Sequence, residues 1–187
     1  MSQSLATNQS QILVEVLQRV TSDLSMIADR DIEVGSIESE LMDHRPAGAG
    51  QVHISYRLGF KRGDTWHAGC LLMPFVDSVA LAGCLLMLPD ETLIAQRAVV
   101  ALEPSAKDAV LEIGNFVSGA TDAALRSVGV EDLKVVFDGC QGVRADVRPV
   151  MAYTEGDALM VARAAVTVQG FEPQTYVVML PEAILPS

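Results

Sequence analysis

The sequence predicts an α+β domain: an antiparallel sheet with an N-terminal helix and one long helix packed on a single face. Three observations predict it. Residues 52–61 alternate strictly between apolar and polar side chains, as a strand with one covered face must. Two segments, near residues 10–28 and 104–129, repeat their apolar residues at helical spacing. After residue 130, β-branched and aromatic runs are separated by short turn-forming segments, as in an antiparallel meander.

The first helix is expected from about Ser10 to Ala28, with Leu13, Val16, Leu17, Val20, Leu24 and Ile27 as its apolar face. Asn8 and Gln11 resemble the two halves of a capping box, which leaves residues 1–9 as a flexible tail. A strand begins near Asp31 in IEV, and the HRPAGAG segment turns the chain. Val52, Ile54, Tyr56, Leu58 and Phe60 then line one side of a strand whose other side carries His53, Ser55, Arg57, Gly59 and Lys61. RGD at 62–64 reads as the turn into a partner strand, TWHAGCLLM, rather than as an adhesion signal.

The hexapeptide AGCLLM occurs at 68–73 and again at 82–87, the first copy expected as strand and the second as helix ended by Pro89. A period of fourteen residues fits no repeat architecture, so the duplication reads as coincidence. The long helix is expected to start at Pro104 and leave at Gly129. LKVVF, VRPVMAY, ALMVARAAVTV and QTYVVML follow as strands, with EGD (155–157) and GFEP (170–173) as turns. The expected order is one helix, three strands, two helices and four strands, in a single domain over residues 1–187 without a linker.

Composition narrows the function classes. A formal net charge of −11 and no basic run argue against neutralising nucleic-acid phosphates or an anionic membrane surface. Cys70, Cys84 and Cys140 lack CxxC spacing and read as reduced thiols of a cytoplasmic protein. The N-terminus has no basic segment leading into an apolar run, so no signal peptide is expected. Residues 68–88 are apolar enough to be tested as a membrane span. Pro74 and Asp77 interrupt them, and a charge at mid-span costs about 3 kcal/mol, so strand followed by buried helix is expected. No P-loop, dinucleotide fingerprint, metal-ligand spacing or conventional triad is present, and His44, His53 and His67 are scattered.

One stretch carries chemistry. In DAVLEIGNFVSGATDAAL, residues 108–125, the stripe Asp108, Glu112, Asn115, Gly119 and Asp122 follows the helical repeat, opposite Val110, Ile113, Val117, Ala120 and Ala124. That stripe has two features a merely solvated face lacks: no cation and two helix-weakening glycines nearby, Gly114 and Gly119, each costing about 1 kcal/mol. Glu112 and Asn115 lie one turn apart; an acid can hold a cation while an amide, donor and acceptor at once, orients water. Gly119 would let a partner's backbone approach. Against this stands the plainer alternative that Asn115 caps a loop and Glu112 is only solvated.

The segment LEIGNFVSGATDAAL resembles the signature helix of the CheC/CheX/FliY phosphatases of bacterial chemotaxis. Their pattern is Asp or Ser, three residues, Glu, two residues, Asn, and a proline 23 positions past the Asn; Asp108, Glu112 and Asn115 match, and Asp138 stands where the proline would be. The order of elements over about residues 10–181 also resembles CheX, and a single ExxN helix favours the one-site type. The resemblance implies hydrolysis of the aspartyl phosphate of a CheY-type receiver domain. Asn115 would position the attacking water and Glu112 would pair with a receiver lysine, while Asp108, Gly119 and Asp122 contribute to docking. No cofactor is expected in this chain, since the Mg²⁺ would belong to the receiver. A homodimer through strand edges is a further expectation. The absent proline motivates a second reading, a catalytically silent adaptor that binds a receiver or another chemotaxis protein, and the apolar C-terminal strands a third, a structural dimerisation domain.

Overall fold

The computed structural model describes residues 5–48, 50–98, 102 and 104–185. Its elements are α1 (Thr7–Ala28), β1 (Ile32–Met42), β2 (His53–Arg62), β3 (Thr65–Pro74), α2 (Phe75–Leu85), α3 (Asp90–Gln96), α4 (Pro104–Ser127), β4 (Lys134–Val143), β5 (Leu159–Val168) and β6 (Gln174–Pro181), closed by a 3-10 turn at Glu182–Ile184. The six strands form one sheet in the order β1-β5-β6-β3-β2-β4, and every neighbouring pair is antiparallel. This is the α+β class read from the sequence, with a helical layer over one sheet face.

The alternation in β2 explains that layering. Ile54, Tyr56, Leu58 and Phe60 are buried in a core with Leu71 and Met73 of β3, Val178 and Leu180 of β6, and the apolar sides of α1, α2 and α4. Fully burying each such aliphatic or aromatic side chain contributes about 1.5–3 kcal/mol. The opposite face is covered too: Cys70, Leu72, Val161, Val177 and Met179 pack with Met42 and Met151 in a second, smaller cluster. Hence His53 and Ser55, on the polar side of β2, are buried as well.

The cover on that second face corrects an expectation. VRPVMAY (147–153) is not a strand; it lies across the sheet and buries Pro149 and Met151 while Val147 and Val150 stay exposed. A proline without an N–H and side chains spent on the sheet's face, not in its plane, keep this segment out of the ladder. DGCQGV, expected in a loop after LKVVF, instead continues β4 to Val143. Six strands therefore replace the expected seven.

The helices are also adjusted. α1 begins at Thr7, with Gln9 Oε1 accepting the Ala6 N–H at 3.0 Å, so Gln9 and not the Asn8–Gln11 pair supplies the capping contact. Residues 5–9, expected in a tail, include buried Leu5 and the first turn of α1; residues 1–4 lie outside the described residues. A helix not expected from sequence, α3, begins after Pro89, which is its N-cap and not the end of α2. α2 stops at Leu85, and Met87 (φ 56) closes it as the Leu88 N–H reaches Gly83 O and the Met87 N–H reaches Cys84 O. α4 runs as expected from Pro104, with Gly129 just past its end.

Residues 68–88 divide between β3 and the buried α2, and no helix among the described residues is long and apolar enough to cross a membrane. Asp77, inside that stretch, is buried against Arg97 Nη1 at 2.7 Å and accepts a hydrogen bond from Tyr176 at 3.2 Å.

Candidate functional site

α4 is amphipathic, and its apolar side fixes where its polar side points. Ala109, Val110, Ile113, Val117, Ala120 and Ala124 are buried in the core that α4 shares with α1, α2 and the sheet, so Asp108, Glu112, Asn115 and Gly119 stand exposed on the opposite ridge. Asn115 Nδ2 donates to Glu112 Oε2 at 2.9 Å, which holds the two side chains together. The Asn115 amide oxygen has no hydrogen-bond partner among the described residues, leaving an acceptor free for water.

The ridge is joined to the edge strand β4 by two contacts. A Cβ at Gly114 would lie 2.2 Å from the Phe137 ring, so the glycine lets α4 rest directly on that ring beside Asn115. Two turns later Asp122 Oδ1 accepts the Val135 N–H at 2.9 Å while Oδ2 accepts from Arg126 Nε at 2.7 Å. Asp122 is thus half-buried and both its oxygens are engaged within the chain, unlike the other acids of the stripe. Arg126 also places a cation one turn past a stripe whose quoted residues contain none.

Asp138, which replaces the motif's proline, sits with Gly139 in a β-bulge opposite Arg57, between the Phe137–Leu58 and Cys140–Tyr56 pairs. Gly139 adopts φ 83, and Arg57 Nε donates to the Asp138 carbonyl at 2.9 Å. A proline is physically tolerated at a bulge of an edge strand because it interrupts no ladder there. Here a left-handed glycine and an arginine close the same kink beneath the ridge.

Leu111 shares the exposed ridge with the candidate residues and was not among those singled out from the sequence. It is 43% exposed, three residues after Asp108 and four before Asn115, and so gives the ridge an apolar flank. Its spacing was the available signal, masked because an isolated leucine reads as core. A cleft of about 1030 Å³ between the start of α1 and the 3-10 turn is lined by residues that include Gln9, Gln11, His67 and Glu182 and by none of the predicted site residues. Among the described residues no group of three His, Cys, Asp or Glu side chains is placed to hold a metal.

Comparison with known proteins defines the class. No family model matches the chain, and no curated protein matches it. Solved structures do. FliY of Thermotoga maritima superposes with a TM-score of 0.67 at 14% identity, covering 97% of this chain and 94% of that one. The FliM middle domain of H. pylori gives 0.63 at 11%, covering 96% and 98%. A chemotaxis protein CheX from Desulfovibrio desulfuricans gives 0.58 at 16%, covering 91% and 99%. The chain therefore has the CheC/CheX/FliY-like fold. Within that fold the structures it is similar to include both CheX and FliM, one of the latter in complex with FliG.

Proposed function

We propose that this protein is a CheX-like phosphatase that hydrolyses the aspartyl phosphate of a CheY-type receiver domain. The single observation that carries the reading is the exposed Glu112–Asn115 pair, hydrogen-bonded at 2.9 Å on the α4 ridge. Its chemistry suits phosphoryl transfer, which needs alignment and charge stabilisation rather than a covalent nucleophile. The free amide oxygen of Asn115 accepts a hydrogen from water and turns the water's lone pair towards phosphorus, in line with the departing carboxylate. The water O–P bond forms, the P–O bond to the aspartate breaks, and inorganic phosphate leaves.

Charge explains why the site needs its partner. A phosphoryl group is anionic, and the ridge around Asn115 offers the acids Asp108 and Glu112. The cations that neutralise the transition state would therefore be the receiver's: a lysine there would pair with Glu112, and its Mg²⁺ would supply positive charge to the phosphoryl group. Asp108, Leu111 and Gly119 form the rest of the docking ridge.

The test is the decay of a phosphorylated CheY-type receiver with substoichiometric protein. Wild type accelerates it, and Asn115→Ala returns it to the spontaneous rate. Receiver binding without faster decay selects the adaptor reading, which the likeness to FliM in a FliG complex favours. Equal decay rates for wild type and N115A refute the water-positioning role. A homodimer through strand edges would use β1 or β4, because the apolar β5 and β6 are interior to the sheet.

A further inference from the structure

Two of the contacts that seat α4 on β4 have a use beyond packing. We infer that the α4–β4 seam, Gly114 on the Phe137 ring and Asp122 on the Val135 N–H, sets the aim of Asn115, making Asp122 and Phe137 positioning residues. The inference rests on the reading of Asn115 as the water-orienting group. It also moves Asp122 from the docking surface to its support.

Geometry makes the argument. A helix packed on a sheet and on neighbouring helices through apolar side chains, as α4 is on β4, α1 and α2, can still roll or slide by small amounts, and a shift of one residue is 1.5 Å along the axis and 100° around it. A water held for in-line attack tolerates far less. Two contacts eight residues apart, at Gly114 beside Asn115 and at Asp122, restrain both motions at once. The first is steric: with a Cβ 2.2 Å from the Phe137 ring, no residue but glycine lets the axis approach so closely. The second is directional: the Val135 N–H at the start of β4 fits one carboxylate oxygen at 2.9 Å, and Arg126 holds the other at 2.7 Å. Asp122 and Asn115 lie on the same side of α4, so motion released at one end of this seam carries directly to the amide. Phe137 adjoins the Asp138–Gly139 bulge, so the strand geometry at the motif's altered position feeds into the same contact.

The experiment follows the Asn115 side-chain amide protons by ¹⁵N–¹H NMR, identified by their loss in Asn115→Asp, in the full chain and in Asp122→Asn, Asp122→Ala and Gly114→Ala. Asn at 122 keeps an oxygen for the Val135 N–H, whereas Ala does not. The seam predicts that Asp122→Ala and Gly114→Ala shift or broaden the Asn115 pair, and that Asp122→Asn leaves it near the wild-type position. In the receiver assay the same two variants lose tenfold or more in kcat with KM within twofold, and Asp122→Asn retains most activity. An Asn115 pair unchanged in folded Asp122→Ala and Gly114→Ala overturns the inference, whatever the phosphatase result. A wild type with no phosphatase activity refutes the proposed function alone, because the amide signals still report on the seam.

Discussion

Replacing Arg97 with alanine removes the counter-charge of a buried carboxylate, and the structure sets the size of the effect. The Asp77 side chain is 1% exposed and Arg97 16%, with 2.7 Å between Nη1 and Oδ1. The guanidinium also stacks 4.1 Å from the Phe171 ring centre, tying α3 to the β5–β6 turn. Removing one partner of such a pair leaves an uncompensated buried charge and costs about 3–5 kcal/mol; losing the stacking adds about 0.5–2 kcal/mol. Stranding Asp77 with only the Tyr176 hydroxyl should therefore destabilise by about 4 kcal/mol, a large share of a typical domain's 5–15 kcal/mol. With a urea slope of about 2 kcal/mol per molar, the unfolding midpoint falls by about 2 M. Burial already holds the Asp77 carboxyl above its usual range, against the opposing pull of Arg97. Without Arg97 it rises further, so the folded variant binds a proton that the unfolded chain does not. Its deficit then shrinks as pH falls through the variant's folded pKa, until wild-type Asp77 takes up its own proton. Urea titrations at pH 7 and pH 5 test both parts. A loss under about 1 kcal/mol at pH 7, or a deficit unchanged at pH 5, refutes the reasoning.

Three further outcomes follow from particular residues. Met87 holds φ 56 at 90% exposure where the capping geometry suits glycine, so Met87→Gly should raise stability by about 1 kcal/mol in thermal or urea unfolding. His53 is buried with Nδ1–H donating to Gln51 O and Nε2 unpartnered among the described residues, and burial pulls its pKa below 6.5. Below about pH 6.5 the unfolded chain therefore takes up a proton first, and stability falls with pH by up to about 1.4 kcal/mol per unit until the folded pKa is passed. His53→Asn should flatten that slope. Cys70 is fully buried and its thiol is pushed up to about 12, so a thiol reagent at pH 8 should label Cys84 and Cys140 first and Cys70 only on unfolding.

The parts of the fold legible in the sequence were those where one periodicity dominates. β2 alternates in sequence although both its faces are covered, the helical core taking its apolar side and the smaller cluster its polar side, and α4 shows a 3.6 repeat because its ridge is wet; the positions of both elements were readable from the pattern. The segment VRPVMAY was misread because lying across a sheet face spaces buried side chains much as lying within it does. α3 was missed because seven residues with one buried leucine carry too little pattern to register. The site divides similarly. Exposure of Glu112 and Asn115 followed from the apolar residues opposite them, but the hydrogen bond between them is a matter of rotamers. Asp122 looked like its neighbours on the stripe; only the position of the Val135 N–H, fixed by how β4 begins, sets it apart. Gly114 was visible as a cost to the helix, and its reason, the Phe137 ring, lay 23 residues away in the chain.

The most direct test of the central claim normalises catalysis to binding. Phosphate release from a CheY-type receiver is measured at protein concentrations that saturate the complex, for wild type and Asn115→Ala side by side. The account predicts a complex of similar affinity in both and accelerated release in wild type alone. Accelerated release that survives the loss of the Asn115 amide in the saturated complex would contradict it.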